Sequence, residues 1–230
     1  MPIYRLDRRI PLFPPPEEAE PDGLIAVGGD LSAPRLLEAY RQGIFPWFEP
    51  GGEPLWWSPD PRLILVPEEV RVARSLRATI RKGAYETRFD TAFRDVIHGC
   101  SAIKRAHEDG TWIGRDIERS YSHLFDLGYA HSIESWQGGE LAGGLYGVCI
   151  GRAFFGESMF ARKADASKVA VAALCRECSR RGIGFIDCQV TTEHLLTLGA
   201  REVPRAKFLA MLRNAVLAPD PPGRWESPSA

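Results

Sequence analysis

The segment Phe185-Ile186-Asp187-Cys188-Gln189-Val190 sets a carboxylate and an amide inside an apolar run of strand length. Such a run closes a core, and the period-2 alternation of a strand points Asp187 and Gln189 to the same side. A carboxylate is costly to bury unless it is hydrogen-bonded or paired. The segment is therefore expected at a sheet surface that lines a cleft, with Gln189 positioning Asp187. The alternative is a strand-end carboxylate that caps the helix following at Thr191.

A chain of 230 residues is long enough for one large domain or two small ones around a real core. Its 29 basic and 30 acidic side chains leave a net charge of -1, so a nucleic-acid partner would have to be held by a local patch. The start, Met1-Pro2-Ile3-Tyr4-Arg5, lacks the apolar core of a secretory leader, and no apolar run is long enough to span a bilayer. Five scattered cysteines fit a reducing compartment. These features set the expectation of a cytoplasmic protein with no membrane partner. Cys175 and Cys178 have redox spacing but lie in a helical pattern with no strand before them, so they are expected to be structural thiols. There is no metal-ligand spacing and no phosphate-binding glycine motif, so neither metal nor cofactor is expected.

Residues 1–61 are rich in proline and aromatics and read as a small irregular domain. It has a strand at Leu24 to Val27 and a helix opened by Ser32 and Pro34 and ending before Gly43. From residue 62 to 217 the pattern becomes regular. A strand from Arg62 to Val66 precedes a helix from Val70 to Lys82, a strand at Tyr85 to Phe89 and helices at Thr91 to Cys100 and Asp116 to Leu127. A three-strand meander follows (Tyr129 to Trp136, Leu141 to Ile150, Arg152 to Gly156). Then come a helix from Ala166 to Arg181, the Asp187 strand, a short helix and a last helix from Arg205 to Leu217. The tail, 218–230, has four prolines and little to bury, and is expected to be disordered. The order implies an α+β fold with a mostly antiparallel sheet, arranged like a GNAT-type acyltransferase domain.

Other residues also carry possible chemistry. Ser158 has no histidine placed as a nucleophile elbow would require, which argues against a serine hydrolase. Glu157 suits a cation such as an amine, or is simply an acid on a surface turn. Gly143, Gly144 and Gly147 suggest either close approach of a ligand or bulges. Arg71, Arg74, Arg77, Arg81 and Lys82 form a basic stripe free of acids, either a solvated face or a set of phosphate contacts. Trp47, Trp56, Trp57 and Trp112 lie in loop-like contexts, fit for an apolar wall or for base stacking.

Ten segments, in order from about residue 10 to 213, resemble the bacterial leucyl/phenylalanyl-tRNA–protein transferases. They are DGLIAVGGDLS at 22–32, GIFPWF at 43–48, LWWSPDPR at 55–62, GTWI at 110–113, AHSIE at 130–134 and GGLYG at 143–147, then FGESMF at 155–160, ASK at 166–168, IDCQV at 186–190 and HLLTLGA at 194–200. Ala161, where serine is expected, and the proline-rich tail depart from the pattern.

The resemblance implies an aminoacyltransferase that moves leucine, and also phenylalanine or methionine, from aminoacyl-tRNA to the N-terminal Lys or Arg of proteins. That residue marks them for N-end-rule degradation. It implies a GNAT-like catalytic half working without acetyl-CoA, and no cofactor. Leu-tRNA, Phe-tRNA and proteins beginning with Lys or Arg are the expected partners, and a monomer the expected state. Asp187 would orient or deprotonate the attacking amine, with Gln189 holding Asp187. Trp47, Trp112, Leu145, Phe154, Glu157 and Ser158 would surround the substrate. The Arg71–Lys82 stripe would grip the tRNA acceptor stem.

Overall fold

The computed structural model describes residues 3–103, 111–219 and 222–227. Gly110 of the GTWI segment and parts of the tail lie outside the described residues. The elements run in the order β1 (Tyr4–Leu6), β2 (Leu24–Gly28), α1 (Ala33–Arg41), β3 (Phe45–Pro46), β4 (Leu55–Trp57), β5 (Arg62–Leu65), α2 (Arg74–Arg81), β6 (Glu86–Phe89) and α3 (Phe93–Ala102). They continue with α4 (Arg115–Asp126), β7 (Ala130–Gln137), β8 (Glu140–Ile150), β9 (Ala153–Ala161), α5 (Ala166–Arg181), β10 (Phe185–Gln189), α6 (Glu193–Thr197), β11 (Arg201–Val203) and α7 (Arg205–Val216).

These strands form a four-stranded sheet, ordered β1-β2-β4-β3, and a seven-stranded sheet, ordered β11-β5-β10-β9-β8-β7-β6. Both sheets are mixed: each holds one parallel pairing among antiparallel ones, and the expected arrangement is corrected at those pairings. β1 runs parallel to β2, and β10 parallel to β9. The meander β7–β8–β9 is hairpin-linked and antiparallel. A parallel neighbour cannot be reached by a tight turn, and the 16-residue helix α5 supplies the crossover from β9 to β10.

The large sheet is buried on both faces. Ala170, Ala173 and Leu174 of α5 join Leu63, Leu65, Phe154 and Ile186 in one apolar cluster. On the other face, Phe155 and Phe185 join Leu36 and Tyr40 of α1, Tyr121 of α4 and Phe208 of α7. This second cluster also takes in Ile25 and Trp56 of the small sheet, so the two sheets share a core. Gly43 ends the turn after α1 at φ +74°, and an added Cβ would meet Phe208 and Leu209 at 2.8 Å. Glycine there serves both the turn and the approach of α7. Cys175 and Cys178 are buried in α5, where burial pushes the Cys175 thiol up to about 12.

Several element bounds differ from those expected. The helix expected from Val70 starts only at Arg74, because the Arg71 amide donates to Leu198 O at 2.8 Å and holds that stretch out of the helix. β9 continues past Gly156 to Ala161. An added Cβ at Gly143 would come within 2.7 Å of Ala166 Cβ, and one at Gly147 within 2.2 Å of Phe155 O. Those glycines answer to packing within the fold.

The tail is also corrected, at residues 222–227. Trp225 is 3% exposed and stacks on His131 at 4.3 Å, with the Arg181 guanidinium 4.6 Å from its ring. Its amide donates to Asp90 Oδ2 at 2.7 Å, the same oxygen that contacts His131 Nδ1 at 2.8 Å. One tryptophan ring buries enough apolar surface to order a proline-rich strap. Trp225→Ala is expected to cost about 3 kcal/mol, near the low end for buried tryptophans, and to lower Tm by roughly 6–12 °C for a chain of this size. Urea unfolding with a loss under about 1 kcal/mol would show that the strap is not held by this ring.

Candidate active site

β9 and β10 pair in parallel from Phe185↔Ala153 to Asp187↔Phe155 and no further. Just past that point each strand breaks register with its other neighbour. Opposite β8 the register shifts between Gly147↔Gly156 and Tyr146↔Ser158, which leaves Glu157 as the extra residue. Opposite β5 it shifts between Asp187 and Gln189, and Gln189 takes a left-handed φ of +65°. Bulges re-aim side chains. Here the two deliver Gln189 Nε2 to Glu157 Oε1, where it donates at 2.9 Å.

Glu157 is held by three elements. Tyr40 of α1 donates to Oε1 at 2.7 Å, and Tyr121 of α4 donates to Oε2 at 2.9 Å. The two phenol oxygens also lie within hydrogen-bond distance of each other, so their two protons are shared over three contacts. Burial pushes the Glu157 carboxyl up to about 7, against the lowering effect of the phenol and amide donors, with the nearby Asp187 charge adding to the rise. Both tyrosines are pushed well above the ordinary phenol range, chiefly by burial and then by the Glu157 charge, so they stay protonated as donors.

Asp187 is differently placed. It is 0% exposed and takes a fork from Arg62: Nε to Oδ1 at 2.8 Å and Nη2 to Oδ2 at 2.7 Å. The Arg62 guanidinium packs against the rings of Phe45 and Phe208, at 4.8 and 4.6 Å. Asp187 Oδ1 also accepts from the Gln189 amide at 2.9 Å, which closes the turn that puts Gln189 at positive φ. Thr192 itself caps α6, so the capping alternative for Asp187 does not hold.

A cavity of about 400 Å³ opens beside this network, of a size suited to a small ligand. Phe45, Pro46, Trp47 and Trp112 contribute aromatic and proline rings to its lining. Leu145, Met159, Leu65, Ile186, Val171 and Leu174 add aliphatic surface, while Glu157, Ser158, Gln189 and His194 add polar groups.

Models of two parts of one family match this chain: leucyl/phenylalanyl-tRNA protein transferase over residues 64–213, and its N-terminal domain over residues 29–60. A leucyl/phenylalanyl-tRNA–protein transferase of Aromatoleum aromaticum is 56% identical over 222 residues, covering 96% of this chain and 93% of its own. The one of Syntrophobacter fumaroxidans is 57% identical over 212 residues, covering 92% and 90%. This chain belongs to the leucyl/phenylalanyl-tRNA–protein transferase family. It is an aminoacyltransferase.

In this transferase the expected site residues divide into groups. Trp47, Trp112, Leu145, Glu157, Ser158 and Gln189 line the cavity. Asp187 lies behind the wall, and Gln189 sends its side chain to Glu157 and only its backbone amide to Asp187. The left-handed turn breaks the alternation that would have put both side chains on one face. Phe154 is fully buried, its ring packed over Gly147 and 5.7 Å from that of Trp225, away from the cavity lining. Arg71, Arg74, Arg77, Arg81 and Lys82 are all exposed. None of the five pairs with an acid among the described residues. Arg71 precedes α2, so the stripe is part helix and part loop.

Sequence reasoning passed over Arg62, Tyr40 and Tyr121. The signal for Arg62 was present: a cation opening one apolar strand and an anion inside another call for each other. No comparable pattern marks the tyrosines, whose partner is distant in sequence. Arg62→Met keeps the stem volume but leaves Asp187 buried without its cation. The expected cost is about 3–5 kcal/mol in urea unfolding, and a cost below about 1 kcal/mol would mean the pair behaves as an exposed one.

Proposed function

We propose that this transferase moves leucine, and also phenylalanine or methionine, from aminoacyl-tRNA to the N-terminal Lys or Arg of proteins, marking them for N-end-rule degradation. One observation carries the reading: the lining of a mainly apolar cavity includes the hydrogen-bonded Glu157–Gln189 pair. The apolar part suits the side chain of the transferred residue. A side chain branched at Cβ would be rejected by about 1–3 kcal/mol, the usual scale for one displaced methyl. The Glu157 carboxylate suits an acceptor carrying positive charge. That the relatives are leucyl/phenylalanyl-tRNA–protein transferases supports the donor, aminoacyl-tRNA, and the acceptor, a protein.

The aminoacyl ester is already activated, so the site needs no nucleophile of its own. It has to align amine and carbonyl, handle one proton and support the oxyanion. Alignment is the larger contribution, since effective molarities are worth roughly 7–11 kcal/mol. In this reading Asp187 is a positioning residue: with both oxygens occupied by Arg62, it sets the turn that delivers Gln189. Trp47, Trp112, Leu145 and Ser158 contact the aminoacyl end. Phe154, away from the cavity, supports its layer from within the core.

Residues 1–61 form a small N-terminal domain that packs into the shared core and contributes Phe45, Pro46 and Trp47 to the cavity, and residues 62–217 form a GNAT-like catalytic unit. The succession of meander, crossover helix and parallel strand supports that likeness. The enzyme works as a monomer in the cytoplasm, where its charged tRNAs are. Among the described residues no helix is long and apolar enough to cross a membrane, and no cluster of ligating side chains could hold a metal.

Labelled leucine supplied on Leu-tRNA is expected to pass to a peptide beginning with Arg and not to one beginning with Asp. Asp187→Ala should be slowed strongly without being dead. Transfer to the Asp peptide would keep the chemistry and overturn the acceptor, and tRNA binding with no transfer would favour an RNA-binding adaptor. The exposed basic stripe is proposed to grip acceptor-stem phosphates. Replacing Arg74, Arg77 and Arg81 by Ala should weaken all tRNAs alike and reduce the salt slope of binding by roughly 2–3, at about 0.7–0.9 per phosphate contact. An unchanged slope would make the stripe a solvated face.

A further inference from the structure

Within the transfer reaction proposed above, on which this inference rests, we propose that Glu157 is the proton carrier. Its carboxylate takes the proton from the acceptor nitrogen as the C–N bond forms. It gives that proton to the ribose oxygen as the ester C–O bond breaks, and so returns to its starting state. Amine and ester become amide and free ribose hydroxyl, with nothing else consumed.

Asp187 cannot take this part. It is fully buried, stands outside the cavity lining and has both oxygens bound by Arg62. Protonating it would break charge-assisted bonds and strand a buried guanidinium. Glu157 lines the cavity. Its Oε1 accepts from Tyr40 and Gln189, whereas Oε2 accepts from Tyr121 alone among the described residues, which leaves acceptor capacity for a substrate N–H. Three donors from α1, α4 and β10 fix the carboxylate's orientation, as a general base requires. His194 also lines the cavity but has no side-chain hydrogen bond among the described residues to orient it.

The groups facing Glu157 decide its proton affinity. They are Tyr40 from α1, Tyr121 from α4, and Gln189 and the Arg62-bound Asp187 on β10, while Tyr146 of β8 and Ser158 of β9 line the same cavity. Burial and the Asp187 charge raise it, the phenols and the amide lower it, and the balance is about 7. A carrier with that affinity can both accept and return a proton near neutral pH. Tyr40 and Tyr121 are positioning residues: by donating to the charged form they hold the carboxylate ionised.

The test is single-turnover transfer from Leu-tRNA to an Arg-initiated peptide, followed against pH in the full chain and in Glu157→Gln, Tyr40→Phe and Tyr121→Phe. Glu157→Gln should slow the chemical step by roughly 10²–10⁴-fold while tRNA affinity holds. Each Tyr→Phe variant should move the acid limb to higher pH, because a donor to the carboxylate is lost. The acceptor's own α-amine titrates near about 8, but that limb cannot follow an enzyme tyrosine. A Glu157→Gln rate within about threefold of wild type, far short of a general base's usual contribution, would overturn the proposal. So would a slow Glu157→Gln with the limb unmoved in both tyrosine variants. If the unaltered chain gives no transfer at all, the reaction itself fails.

Discussion

A guanidinium and a carboxylate, both out of water, hold the centre of this molecule together. Arg62 opens β5 and Asp187 sits in β10, and the cost of desolvating the two ions is offset by a bidentate contact, although Arg62 Nη1 is buried without a hydrogen-bond partner among the described residues. The rings of Phe45 and Phe208 both pack against the guanidinium. Two planar rings against a weakly hydrated planar cation suit arginine and would not suit lysine. Those rings come from the N-terminal sheet and from α7, so one ion pair ties the small sheet, the large sheet and the last helix. The start of α7 is fixed nearby, where the Arg205 amide donates to Asp60 Oδ1 and Arg205 Nη1 to Ser58 O.

What the pair does for the site is indirect. Asp187, fixed by Arg62, accepts the Gln189 amide and so specifies a left-handed residue where the strand would otherwise run straight. A non-glycine residue in that conformation costs of order 1–3 kcal/mol and persists where its surroundings over-determine it. The turn and the bulge at Glu157 lie on adjacent strands just beyond their last paired residues. Two strands that pair and then part leave room between them, and the cavity occupies that room. Acid, amide and aliphatic lining thus come from one topological event.

The C-terminal strap follows the same logic on the other face of the sheet. Asp90, His131 and Trp225 make a buried polar and aromatic cluster, and the Asp90 carboxylate serves the His131 ring, the Ser132 amide and the Trp225 amide together. Composition predicted disorder because prolines dominate the tail, but one tryptophan with a fitted slot outweighs that average.

Local chemistry was legible in the chain. The helix from Ala166 to Arg181 runs as its apolar spacing and closing Gly182 require, the meander follows its glycine turns, and the ordered motifs, FGESM and IDCQV among them, mark the family. Glu157, Gln189, Trp47, Trp112, Leu145 and Ser158 could be named as site residues from those motifs, and they meet at the cavity. Which carboxylate lines the cavity could not be read, because alternation assumes a regular strand and the Asp187–Gln189 segment is irregular. The partners that make it irregular or tune the acid, Arg62, Tyr40 and Tyr121, lie 125, 117 and 36 residues from the groups they bind. The sequence by itself determined the elements, the family and the kinds of side chain at the site. Only the tertiary structure decided that Asp187 is spent on an arginine and Glu157 is open to the cavity, because burial and charge pairing are properties of neighbours in space.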